Sequence, residues 1–301
     1  MNAGAAPWSA TEPRHILVIL NPVAGRGRRA WRRWRRVRAE LERRGCMVTL
    51  RSTAGAGDAE RLARAAEPVF DLVVAAGGDG TVNEVANGLK GSSHVLGILP
   101  FGTANVLACE LGLPRRAKRL AALLAAAAPQ PIWPGRIGDR LFLCMSGIGF
   151  DAAVVASVDP GHKRRFGKFA FLWAILASFV QHRPGEFTIR IDGAEYRAGA
   201  VIIAKSRFYA GRFVVAPAAR AADPLFHVVL FPPASRRAVL RYLAALGLGL
   251  LHRVKGVSIV PARAVSLADG GSWPMHVDGE ILSRSALSIG LAEAPLLILR
   301  P

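Results

Sequence analysis

Chemistry is densest in the stretch Val73-Val74-Ala75-Ala76-Gly77-Gly78-Asp79-Gly80-Thr81-Val82-Asn83-Glu84-Val85, where glycines at 77, 78 and 80 surround one carboxylate. The apolar run at 70–76 before them reads as a buried strand. From Thr81, residues Val82, Val85, Ala86 and Leu89 recur at helical spacing, with Gly88 and Gly91 near the end. The loop therefore joins the C-terminal end of a strand to the N-terminus of a helix. Glycines let backbone approach a ligand closely, and free helix N–H groups favour an anion. Thr81 can cap the helix or bind a phosphate oxygen. Asp79 makes sense in such a site if a divalent metal accompanies a phosphate, or if a substrate hydroxyl must be oriented. The lysine of a Gly-x-x-x-x-Gly-Lys-Ser/Thr loop is absent, and the Gly-x-Gly-x-x-Gly spacing is not met. Alone, the loop reads equally well as a strand-to-helix turn in which glycine relieves strain.

The elements that must position this loop alternate. A strand at 15–20 leads into Asn21-Pro22-Val23-Ala24-Gly25-Arg26-Gly27, then a basic helix with Ala30, Trp34, Val37 and Leu41 on one face. A strand at 46–50, a helix at 58–67, the central strand, loop and helix, and a strand at 95–99 follow. After Pro100-Phe101-Gly102-Thr103-Ala104-Asn105 come helices at 105–111 and 116–128. This order predicts an α/β domain, a parallel sheet with helices on both faces and its ligand beyond the strand C-termini. Past residues 129–134 short strands dominate, at 134–137, 140–145, 187–191, 195–204, 226–230, 257–261, 264–267, 275–277 and 286–290. They predict a β-sandwich with helices inserted at 166–181 and 236–251. The expected domains are 1–129 and 130–294, with a strand at 295–299 returning to complete the first.

A length of 301 residues with 51% apolar content supports one large or two medium domains. A net charge of +19 calls for an anionic partner: nucleic acid, a membrane surface or a polyphosphate. Cys46, Cys109 and Cys144 are far apart and show neither metal spacing nor a disulfide framework, which suits a reducing, cytoplasmic setting. The opening residues lack the apolar core of a signal peptide. The longest apolar run, 169–180, is too short to span a bilayer, which needs about 20 residues.

Taken together, the segments resemble the diacylglycerol kinase catalytic-domain superfamily, in its bacterial soluble lipid kinase branch. The residues that carry this are Asn21-Pro22-Val23-Ala24-Gly25, Gly77 to Glu84, Leu99 to Asn105, Gly147-Ile148-Gly149-Phe150-Asp151, Tyr209-Ala210-Gly211, Ala216-Pro217, Asp223 and Asp278-Gly279-Glu280, in family order. The resemblance implies an ATP-dependent lipid kinase acting on diacylglycerol, a sphingoid base or phosphatidylglycerol, with ATP in the cleft between a nucleotide-binding domain and a β-sandwich. It places the phosphates at Gly77, Gly78, Asp79, Gly80, Thr81, Val82 and Asn83, near Asn21, with Thr103 and Thr53 also touching the nucleotide. It makes Glu280 the general base, and a carboxylate on a turn can take the proton of an attacking hydroxyl. Read without that resemblance, Asp278-Gly279 is simply a hairpin turn. Asp79 is the candidate for catalytic Mg2+, acting through water on the metal carried by ATP. A structural Mg2+ is implied at Asp223, with the carbonyls of Arg220 and Leu225. Here Asp223-Pro224 replaces the usual Asp-Gly, and Val106 stands where many members have Asp.

A lipid substrate accounts for the positive charge through a peripheral contact with an anionic membrane, and no nucleic acid partner is expected. Each Lys or Arg near such a surface contributes about 1 kcal/mol. Trp31 and Trp34 suit the headgroup layer, and His162-Lys163-Arg164-Arg165 with Lys168 is a second basic stretch. A homodimer is compatible with all of this. The competing readings are an NAD kinase, which shares the central motif, and a non-catalytic module that binds anionic membrane or nucleic acid.

Overall fold

The computed structural model describes residues 14–25, 28–149, 185–268, 273–282 and 288–301. The expected helix at 166–181, the basic stretch at 162–168, and Phe150 and Asp151 lie outside the described residues. The chain divides into two compact units, Met1–Ile132 with Ala294–Pro301, and Trp133–Glu293.

The first unit is an α/β layer structure. Strands β1 (His15–Leu20), β2 (Met47–Ser52), β3 (Leu72–Gly77) and β4 (Val95–Pro100) are parallel to one another. Every residue of β3 is buried, as is all of β1 after His15. Such unbroken apolar runs belong to strands covered on both faces. β5 (Pro129–Ile132) closes the far edge antiparallel to the late strand β20 (Leu296–Leu299), which pairs parallel with β4. The order is β2-β1-β3-β4-β20-β5. The C-terminal run thus returns to this sheet, and the antiparallel strand at 129–132 is an element that the apolar pattern does not signal.

Helix α1 (Arg28–Arg43) buries Ala30, Trp34, Val37 and Leu41 against β1, β3 and α5 (Ala117–Ala126). Helices α2 (Asp58–Arg64), α3 (Asp79–Gly88) and α4 (Val106–Glu110) complete the unit. Trp34, expected at a headgroup layer, is 1% exposed in the core, while Trp31 is 38% exposed. The 3.6-residue period puts Trp34 in line with Ala30, Val37 and Leu41, and that line faces the sheet.

The second unit is an antiparallel sandwich. One sheet contains β6 (Gly135–Ile137), β7 (Arg140–Phe142), β9 (Phe187–Ile191), β10 (Ala194–Ala198), β16 (Ala264–Leu267) and β19 (Ser288–Leu291). The other contains β8 (Met145–Gly149), β11 (Ala200–Ala204), β14 (Phe226–Phe231), β15 (Ser258–Ala262), β17 (Met275–Val277) and β18 (Glu280–Leu282). Their inner faces share one core, in which Phe142 of the first sheet stacks on Phe226 of the second at 5.9 Å. Along β9, Phe187, Ile189 and Ile191 are buried and the residues between them are not, the period of two expected of such strands. The run read as one strand at 140–145 is broken at residues 143–144, and that at 195–204 at Gly199. A two-stranded hairpin, β12 (Phe208–Tyr209) with β13 (Phe213–Val214), and helix α6 (Arg236–Gly247) lie outside the sandwich sheets.

Candidate active site

Four strand ends of the first unit carry the candidate nucleotide contacts. Asn21 follows β1, Thr53 follows β2, Gly78 follows β3, and Gly102 and Thr103 follow β4. Thr53 N–H donates to the Leu20 carbonyl at 2.9 Å, and Asn21 N–H to Ala76 at 3.0 Å. Phe101 and Gly102 both donate to the Gly77 carbonyl, at 2.8 and 3.2 Å. Parallel strands that end in register put their loops at one edge, where open α/β sheets bind ligands.

The glycines serve first to let these loops pack together. A Cβ on Gly102 would lie 2.5 Å from the Gly78 Cα. One on Gly77 would meet the Thr81 hydroxyl oxygen at 2.4 Å, and one on Gly25, where φ is +62°, would meet the Phe101 carbonyl oxygen at 2.2 Å. A side chain at any of the three forces neighbouring groups apart.

Helix α3 begins at Asp79, two residues before the expected start, with Gly78 in extended conformation at its N-cap and no side chain capping it. Thr81 is therefore in the first turn rather than at the cap. It is 6% exposed and accepts a hydrogen bond from Asn21 Nδ2 at 3.1 Å. Asn21 Oδ1 in turn accepts from the Val23 N–H at 3.1 Å. Val82 N–H bonds to the Gly78 carbonyl, the first bond of the helix, and its side chain is buried. The N–H groups ahead of Val82 have no intrahelical acceptor, so the positive end of the helix dipole lies at Gly78 to Thr81. Asn83 is 2% exposed and accepts from Asn87 Nδ2 within the helix. Asp79 is half-buried, and its Oδ1 accepts from the Leu107 N–H of α4 at 3.4 Å. Asn105 adopts a left-handed φ of 48° and donates from Nδ2 to the Gly102 carbonyl at 2.7 Å. Thr103 is exposed and Thr53 half-buried.

In the second unit, Val277 pairs with Glu280 across a two-residue turn. Asp278 and Gly279 both have positive φ, 47° and 84°. That conformation marks the tight hairpin turn which Asp-Gly favours. The Asp278 carboxylate accepts three backbone N–H bonds, from Leu143 at 2.7 Å and from Cys144 and Met145 at 2.9 Å each. Its own N–H donates to the Met145 carbonyl at 2.9 Å. The turn is therefore clamped to residues 143–145, where the expected single strand breaks. Glu280 opens β18, and its exposed carboxylate pairs with Arg140 of β7. The sequence points to Glu280 as a candidate, but to neither Asp278's three bonds nor Arg140. The Asp-Gly signal announced the turn, but nothing local announces partners more than 130 positions away.

Residues 15–137 match the diacylglycerol kinase catalytic domain, and residues 145–299 match the YegS C-terminal NAD kinase beta sandwich-like domain. A protein of Pseudomonas putida named "Probable lipid kinase YegS-like" is 33% identical over 85% of this chain and 86% of its own. The chain belongs to this family of lipid kinases. The family's diacylglycerol kinase of Bacillus subtilis is 27% identical over 87% of this chain and 88% of its own. A solved diacylglycerol kinase structure from Bacillus anthracis str. Sterne shares the fold, with a TM-score of 0.73 and 20% identity over 97% of this chain and 98% of that one. As a lipid kinase the protein is a phosphotransferase, with ATP as phosphate donor and a lipid as acceptor. The NAD kinase likeness is one of sandwich fold, not of activity. Among the described residues no helix is long and apolar enough to cross a membrane.

Members of this family are expected to hold a structural Mg2+ at Asp223 with the carbonyls of Arg220 and Leu225. The arrangement present does not fit that ion. The Arg220 carbonyl accepts the Asp223 N–H at 3.2 Å, and the Leu225 carbonyl accepts Lys205 Nζ at 2.9 Å.

Proposed function

We propose that this kinase phosphorylates a hydroxyl of diacylglycerol or of a related lipid such as a sphingoid base or phosphatidylglycerol. The observation that carries the assignment of the phosphates is the packing of the Gly25, Gly77–Gly78 and Gly102 loops around the N-terminus of α3. In this reading the N–H groups at Gly78 to Thr81 face the phosphates, and Asn21 orients Thr81. Val82 and Asn83 support the helix from its buried side. Thr103 and Thr53 reach the nucleotide from neighbouring strand ends. Mg2+ carried by ATP would neutralise phosphate charge, and Asp79, half-buried at the helix start, would hold it through water. Glu280 accepts the proton of the lipid hydroxyl as that oxygen bonds to the γ-phosphorus and the bond to the β-phosphate oxygen breaks. The Asp278 clamp holds Glu280's turn, and Arg140 orients the carboxylate until the hydroxyl arrives.

The lipid is reached, in this reading, by peripheral contact with an anionic membrane from the cytoplasmic side, not through nucleic acid. Two surfaces support it. On α1, Trp31, Arg32, Arg35 and Arg36 are exposed. Arg33 is not available, because it donates to the carbonyls of Pro100 and Arg115, and burial followed by the nearby Arg115 charge lowers its pKa. On and just beyond α6, Leu240, Ala244 and Leu248 form an exposed stripe at helical spacing, flanked by exposed Arg237 and Arg241. Apolar side chains beside basic ones are the composition of a bilayer-surface contact.

Incubation of the protein with radiolabelled ATP and a total lipid extract, followed by identification of the labelled lipid, tests the function. Label in phosphatidic acid or in another phosphorylated lipid alcohol is expected. Label in no lipid across the extract contradicts it.

A further inference from the structure

We infer that the ammonium of Lys205 is the resident cation of the loop at 217–225, occupying the position that a structural divalent metal would take, so that this unit is held together without metal. Lys205 directly follows β11 and is 1% exposed. Its backbone N–H donates to the Cys144 carbonyl at 2.8 Å, which fixes the stem of the side chain. Nζ donates to the carbonyls of Asp223 and Leu225, the residues on either side of Pro224. It also lies 5.9 Å from the centre of the Phe226 ring. A buried ammonium without acceptors is strongly unfavourable, so a lysine this deep requires the carbonyls that receive it.

Three features turn this into an argument against a metal. The Leu225 carbonyl, one of the expected ligands, already receives a cation. A divalent ion sharing that oxygen would lie a few ångströms from a fixed positive charge, and the two would repel each other. The Arg220 carbonyl, the second expected ligand, is turned into the loop by the Asp223 N–H. Pro224 restricts the backbone between the two carbonyls that converge on Nζ. A tethered ammonium also loses less freedom on joining the loop than a dissolved ion does, and it cannot be removed by chelation.

Thermal unfolding of the full-length protein, without nucleotide, tests this. With chelator or with millimolar Mg2+, the wild-type Tm should be the same. Lys205→Met, which keeps the length but not the charge, should lower Tm by roughly 5–10 °C, because it leaves two carbonyls without their donor. Lys205→Asn, which supplies an oxygen and clears the charge, should make Tm rise with Mg2+. A Mg2+-dependent rise in the wild type that Asp223→Asn abolishes overturns the inference. An unchanged Tm in Lys205→Met overturns it too. The wild-type comparison needs no variant, so it decides the point even where a substituted chain fails to fold.

Discussion

At the C-terminal edge of the first unit's sheet, the proposed phosphate contacts are mostly backbone N–H groups, and the loops that carry them pack glycine against glycine. In the hairpin of the second unit the proposed reacting group is a side chain, Glu280, and a neighbouring carboxylate holds its turn through three backbone N–H bonds. The first arrangement suits a ligand of fixed shape and high charge, such as a triphosphate, because N–H groups cannot lose a proton or change rotamer. The second suits a proton transfer, which needs a titratable group with some freedom. Each is vulnerable in a different way: the loops to added volume, the hairpin to lost polar partners.

That contrast can be broken first at Gly102. Gly102→Ala places a methyl 2.5 Å from the Gly78 Cα. The displaced loops should cost about 100-fold in kcat/KM for ATP and roughly 1–3 kcal/mol of stability. Steady-state kinetics and urea unfolding read the two. Asp278→Ala should do the reverse, costing roughly 3 kcal/mol because three N–H groups lose a charged acceptor. Turnover should fall with it while the affinity for ATP stays near wild type, as nucleotide binding measurements would show. Asn21→Ala removes one bond to Thr81, and about 1 kcal/mol and a several-fold rise in KM for ATP are expected. Arg140→Gln separates the exposed pair with Glu280 and should change stability by less than about 1 kcal/mol in urea unfolding.

Much of this was legible in the chain and some was not, for identifiable reasons. The parallel core strands announce themselves as unbroken apolar runs, and the buried face of α1 as Ala30, Trp34, Val37 and Leu41. That same periodicity puts Trp34 in the core and not at a membrane surface, because its position on the helix outweighs its aromatic type. Helix α3 starts two residues ahead of its visible pattern, because its first turn carries Asp79 and Gly80, which are polar or small and add nothing to an apolar period. The strand at 129–132 contains two prolines, Pro129 and Pro131, which argue against a central strand but are tolerated at an edge. At the hairpin the turn was readable and its clamp was not, because the N–H groups that meet Asp278 come from residues 143–145. Lys205 lies 18 and 20 positions from the carbonyls that it meets, and its burial follows from the packing of β11 beside β14. No pattern local to either residue signals such a pairing.

Glu280→Gln puts the central claim to the most direct measurement, since it keeps the size of the side chain and leaves the Asp278 clamp in place while removing the proton acceptor. Lipid phosphorylation should fall by roughly 10²- to 10⁴-fold, with ATP affinity and Tm near those of the wild type. Phosphorylation of the lipid by Glu280→Gln at close to the wild-type rate would contradict the account, and the proton acceptor would then have to be sought elsewhere in the chain.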